Sequence, residues 1–174
     1  VTNYAGDKPG VVDGEVWYNS TAAAFKYQYP NVTSAGAWST GGSLNTGRRG
    51  MGGSGLQTAA LAGGGYVGPA RVANTESYDG ASWTEVNDMN TARNHYAMTG
   101  TQTSALAFGG ELPPTAVTES WNGTSWTEVN DLNTARSTLA GAGADNTTAL
   151  AFGGGPPYVA ITESWNGTSW TEVN

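Results

Sequence analysis

The side chains that could do chemistry in this 174-residue chain are few: fourteen Asp and Glu, seven Lys and Arg, one histidine and no cysteine. Without cysteine there is no thiolate nucleophile, no disulfide and no zinc–thiolate centre. His95 is the single histidine, so a metal or acid–base site built on imidazole would have to find its partners among carboxylates. A glycoside hydrolase needs only two carboxylates. However, Glu76, Glu85, Glu119, Glu128, Glu163 and Glu172 all recur in register along the sequence, whereas a catalytic pair should be unique. Asp145 and Glu111 do not recur, but both lie in loop-like sequence with no partner nearby. The expectation is a protein that binds or holds rather than transforms, with no cofactor and no metal.

The arginines repeat as well. Arg48, Arg93 and Arg136 each follow Asn-Thr-x, and Glu76, Glu119 and Glu163 each sit in Thr-Glu-Ser. A ring of anion-binding arginines is one reading; a buried Arg–Glu pair in every unit is the other. The second is favoured, because a feature repeated with the fold usually serves the fold. The net charge is −7 and the basic residues are scattered, so the basic stripe that nucleic-acid binding requires is missing. No stretch approaches the apolar length of a membrane-spanning helix. The opening VTNYAGDKPG has no secretory-signal pattern and reads like the middle of a longer chain.

These residues are carried by an internal repeat. Units begin at Asn45, Asn90 and Asn133, and the tryptophans Trp83, Trp126 and Trp170 mark the same place in each. The expected organisation is an N-terminal β segment over 1–44 and repeats over 45–89, 90–132 and 133–174. A period in the low forties, rich in Gly and Trp, suits a four-stranded propeller blade. In the last unit the strands are expected within 138–143, 147–152, 160–165 and 169–173. The second of these, TTALAF, is almost continuously apolar, which predicts cover on both faces. Asn122-Gly123, Asn166-Gly167 and Asp79-Gly80 predict two-residue type I′ hairpins. That register would make Trp121 and Trp126, and likewise Trp165 and Trp170, diagonal neighbours on one face, filling the space between stacked blades. Five Asn-x-Ser/Thr sequons occur, at Asn19, Asn31, Asn122, Asn146 and Asn166; two of them coincide with the hairpin turns.

A strand ending in Gly-Gly, a variable loop, an aromatic and then a Trp a few residues later resembles the kelch repeat. The residues are Gly64, Gly65, Tyr78 and Trp83; Gly109, Gly110, Trp121 and Trp126; and Gly153, Gly154, Trp165 and Trp170. The resemblance implies an all-β fold, a partial or complete kelch-like β-propeller of four-stranded antiparallel blades. Trp38, 45 positions before Trp83, would belong to the fourth strand of a further, partial blade. The segment Gly14-Glu15-Val16-Trp17-Tyr18-Asn19-Ser20, followed by Phe25-Lys26-Tyr27-Gln28-Tyr29, resembles one common in tailed-phage fibre, neck and appendage proteins. It implies a virion structural or adhesion protein whose partners are other virion proteins, copies of itself, or a host-surface glycan or protein. A secreted or cell-surface bacterial carbohydrate- or protein-binding propeller is the alternative. Three units are fewer than the 4–8 blades of propellers, so a fragment of a longer ring or a homo-oligomer is expected.

Binding residues are expected where the units differ, in loops held by a rigid frame. Those places contribute Tyr66, Arg71, Asn94, His95, Tyr96, Glu111 and Tyr158.

Overall fold

A computed structural model describes residues 3–5, 15–27, 39–111, 113–155 and 157–173. Its described regular elements are all strands, and they fall into two compact units, 1–40 and 41–174.

In the first unit β1 (Asn3–Tyr4) pairs parallel to β2 (Val16–Asn19), which forms a hairpin with β3 (Ala24–Tyr27). Tyr18 lies opposite Phe25, with the rings edge to face at 5.2 Å. The Asn19 side chain accepts from the Ala22 N–H and shapes the turn. Trp38 lies outside the described residues.

The second unit holds three four-stranded antiparallel sheets. The first consists of β4 (Gly52–Leu56), β5 (Ala59–Gly63), β8 (Thr75–Tyr78) and β9 (Trp83–Val86), with a small ribbon β6 (Tyr66–Val67) and β7 (Ala70–Arg71) inserted between its inner strands. The second is β10 (Ala97–Gly100), β11 (Ala105–Phe108), β12 (Thr118–Trp121) and β13 (Trp126–Val129). The third is β14 (Ala140–Ala142), β15 (Ala149–Phe152), β16 (Thr162–Trp165) and β17 (Trp170–Val173). Strand order follows chain order in all three, and β10 packs between β4 and β14. The unit begins at Gly41, four residues before the first repeat as counted from Asn45. The reason is contact: a Cβ on Gly41 would meet the Tyr78 hydroxyl, and one on Gly42 the Ala81 carbonyl.

Two apolar cores lie between the sheets. Leu61 and Met89 of the first face Tyr96, Met98, Ala105, Ala107, Trp121 and Trp126 of the second. Leu106, Phe108 and Leu132 of the second face Leu139, Ala149, Ala151, Trp165 and Trp170 of the third. Each aromatic of this size removes a large apolar area from water, and buried Trp and Tyr need a partner for their N–H or O–H. The Trp126 indole N–H finds Thr75 Oγ1 and that of Trp170 finds Thr118 Oγ1, both at 3.1 Å.

The hairpins differ from the expected type I′ turns. Trp121 pairs directly with Trp126, Trp165 with Trp170 and Tyr78 with Trp83, so the loops have four residues and the rings are direct rather than diagonal neighbours, 5.0–5.4 Å apart. The cause is the side chain at the first loop position. Asn122 Oδ1 accepts from the N–H groups of Thr124 and Ser125, and Asn166 and Asp79 do the same in their loops. Asn is here an acceptor that closes an Asx turn, and only the glycine takes a positive φ, +93° at Gly123.

The expectation for the apolar second strand divides between units. Every residue of β11 is buried, but in β15 Leu150 is 41% exposed and Phe152 39%. The sequence is the same; among the described residues only β11 has a sheet on both faces.

Candidate functional site

The repeated arginines lie inside the sheets. Arg93 Nη1 donates to the carbonyls of Gly109 and Val117, its Nη2 to Ala107, and its guanidinium is 3.3 Å from Glu119. Arg136 binds the carbonyls of Gly153, Ile161 and Ala151 and sits 2.9 Å from Glu163. Arg48 binds Ala62 and pairs with Glu76. Arg93 and Arg136 thus tie the end of the second strand to the start of the third, and Arg48 links the second strand to the third through Ala62 and Glu76. The second carboxylate oxygen of each glutamate accepts from the N–H of the Asn that opens the repeat, Asn45, Asn90 or Asn133. These side chains are at most 2% exposed, so no outside anion reaches the arginines. Burial depresses the Arg93 guanidinium below its ordinary value, against the pull of Glu119. Burial also acts to raise Glu76, but the Asn45 N–H and the Arg48 guanidinium outweigh it and hold that carboxyl below the usual range.

The residues at which the units differ meet along one edge of the first two sheets. Arg49 and Tyr66 exchange both backbone hydrogen bonds, and the Arg49 guanidinium lies 5.0 Å over the Tyr66 ring, within cation–π range. Tyr66 is opposite Arg71 in the β6–β7 ribbon. Arg71 Nε donates to Asn94 Oδ1 at 3.1 Å, and Asn94 Nδ2 is 3.2 Å from His95 Nδ1. His95 Nδ1 is in turn 2.9 Å from Glu111 Oε2, with both side chains nearly half exposed. A groove of about 320 Å³ opens beside Arg49, Tyr66 and Gly68. The edge offers a guanidinium stacked on a ring, a second exposed guanidinium and an imidazole–carboxylate pair.

No protein-family model matches the chain, and no curated protein does.

Tyr66, Arg71, His95 and Glu111 are therefore brought together at this edge. Asn94 is 5% exposed and positions Arg71 and His95 rather than meeting a ligand. Tyr96, just before β10, does not face a ligand: its ring is buried between the first two sheets, its hydroxyl donates to the Gly63 carbonyl, and burial pushes its pKa upward. Tyr158 is 93% exposed, in the connection between β15 and β16 of the third sheet. The His95–Glu111 pair was missed by sequence reasoning, which found no partner for Glu111. An isolated backbone bridge between Asn94 and Glu111 creates it, and a bridge across sixteen residues of sequence leaves no local pattern. Arg49 opens one of the stretches where the units differ, 49–52, but was not singled out as a binding residue. Asp145 accepts from Thr147 in its own turn. Among the described residues no three potential metal ligands cluster.

Proposed function

We propose that the chain is a non-enzymatic, kelch-like β-propeller module of a virion, part of a tail, neck or fibre protein, whose blade loops grip a host surface or a neighbouring protein. The observation that carries this reading is a division among the ionisable groups. The repeated arginines Arg48, Arg93 and Arg136 and the glutamates paired with them, Glu76, Glu119 and Glu163, are consumed inside the sheets, while the repeated Glu85, Glu128 and Glu172 stay exposed. Those that do not repeat, Arg49, Arg71, His95 and Glu111, gather on one edge of a rigid frame. Repeat scaffolds present their binding surfaces in this way. The kelch part is supported by the Gly-Gly at the end of each second strand and the paired aromatics of the third and fourth strands. The virion setting is supported by the hairpin of Val16–Asn19 with Ala24–Tyr27, which coincides with the phage-like Trp-Tyr-Asn segment.

A bacterial carbohydrate-binding propeller is the second reading, favoured by the guanidinium stacked on Tyr66, since aromatic faces and charged side chains are common in sugar and acid recognition. Screening the purified chain against bacterial surface polysaccharides and whole cells tests both. Binding should be lost in Y66A and R71A while the fold is retained. Antiserum should label a virion appendage under the first reading and a bacterial surface under the second. Turnover of a glycan by the wild-type chain, abolished in E111Q, would overturn both.

A further inference from the structure

The contacts between successive sheets are directional, and the first and third sheets each carry one half of the set with no partner for it among the described residues. The Trp126 indole of the second sheet donates to Thr75 of the first, and the Trp170 indole of the third to Thr118 of the second. Gln102 Nε2 donates to Ser77 Oγ at 2.9 Å and to the Tyr78 carbonyl; Asn146 Nδ2 donates to Ser120 Oγ and the Trp121 carbonyl at 3.0 and 3.1 Å. The His95 N–H donates to the Gly50 carbonyl and the Thr138 N–H to the His95 carbonyl, so the three sheets are linked in series through residues that all have positive φ. In the opposite sense the Gly65 N–H donates to the Arg93 carbonyl and the Gly110 N–H to that of Arg136.

Continuing each series by one repeat gives the groups at the ends. On the open front of the first sheet they are Trp83 Nε1, Gln57 Nε2, the Gly50 N–H and the Arg48 carbonyl. On the open back of the third they are Thr162 Oγ1, the Trp165 carbonyl with Ser164 Oγ, the Thr138 carbonyl and the Gly154 N–H. Among the described residues none of these makes the bond that its counterparts in the repeat make. The apolar residues match as well. Met51, Ala60 and Trp83 line a groove of about 390 Å³ on the front, at the positions that Tyr96, Ala105 and Trp126 fill in the second sheet. Leu150, Phe152 and Val173 are 39–41% exposed on the back, where Leu106 and Phe108 of the second sheet are fully buried.

We infer that these two faces are one interface, divided between copies: the front of the first sheet in one copy docks on the back of the third sheet in another, reproducing the contact made twice within each chain. The partner is thus a second copy of this chain, bound head to tail. Such a heterologous contact closes into a ring or runs on as a filament according to its rotation. The inference rests on the propeller reading above, not on the ligand edge: loss of loop binding in Y66A leaves assembly unaffected, and a monomer leaves loop binding open to test.

M51E and L150E place a charge on exposed front and back positions and should leave the fold, read by circular dichroism, intact. Light scattering and native mass spectrometry up to about 100 µM, enough to populate a Kd in the micromolar range, should give discrete or growing oligomers for the wild type. Each variant alone should be monomeric, and an equimolar mixture should give a one-to-one heterodimer through the face each retains. A wild-type monomer at every concentration would overturn the inference. Oligomers disrupted by only one of the two variants would also overturn it, because that pattern belongs to a face-to-face dimer.

Discussion

The indole N–H of Trp126 reaches the hydroxyl of Thr75, 3.1 Å away in the neighbouring sheet and 51 positions earlier in the chain. Thr75 is fully buried, as is Thr118 beneath Trp170. The bond satisfies both polar groups inside an apolar layer, so the same contact supplies packing and register between sheets.

Removing the Trp126 ring should cost about 3–5 kcal/mol in the W126A variant. W83A should cost clearly less, since that ring lies at the open front groove. Combining W126F with T75A in a denaturation cycle should give a coupling of about 0.5–1.5 kcal/mol. Zero coupling would show that the bond does not contribute to holding the sheets together.

Glu119 and Arg93 are both fully buried. The E119Q substitution leaves the guanidinium in the interior with three carbonyls but no countercharge. It should destabilise the protein by about 3–5 kcal/mol in urea unfolding. A loss under about 1 kcal/mol, the worth of an exposed pair, would show that solvent reaches the pair.

The depressed Glu76 carboxyl makes stability depend on acid. Its folded pKa lies below the ordinary 4.5, so its contribution is complete above that value. As the pH falls below it the unfolded chain takes up the proton first, and the contribution is gone once the pH drops beneath the folded pKa. The urea midpoints of wild type and E76Q should therefore converge on acidification. A gap that stays constant from neutral pH to about pH 3 would refute the linkage.

The four-residue hairpins give opposite predictions from type I′ turns. Where Asn122 supplies an acceptor to Thr124 and Ser125, N122G should lose about 1 kcal/mol, although Gly would be welcome in a type I′ turn. N122D should be tolerated, because Asp79 already does this work in the first sheet. Thermal melts of the two variants decide between the turns.

Much of the unit was legible in the sequence because it is stated three times. Spacing placed the strands and singled out the Trp, Arg and Glu positions, and a threefold statement separates what the fold needs from what a site needs. The hairpin register was not legible: Asn-Gly fits two turns, and the choice rests on a side-chain acceptor whose geometry exists only once the strands pair. Nor was the fate of Ala-Leu-Ala-Phe, buried throughout in Ala105–Phe108 and half exposed in Ala149–Phe152, since burial belongs to the neighbour and not to the strand. The meeting of His95 with Glu111 and of Arg71 with Asn94 likewise came from tertiary structure alone. Sequence determines what recurs, because local pattern and period are written along the chain. Which distant loops share an edge, and which apolar faces stay open, is decided by how the sheets pack in space.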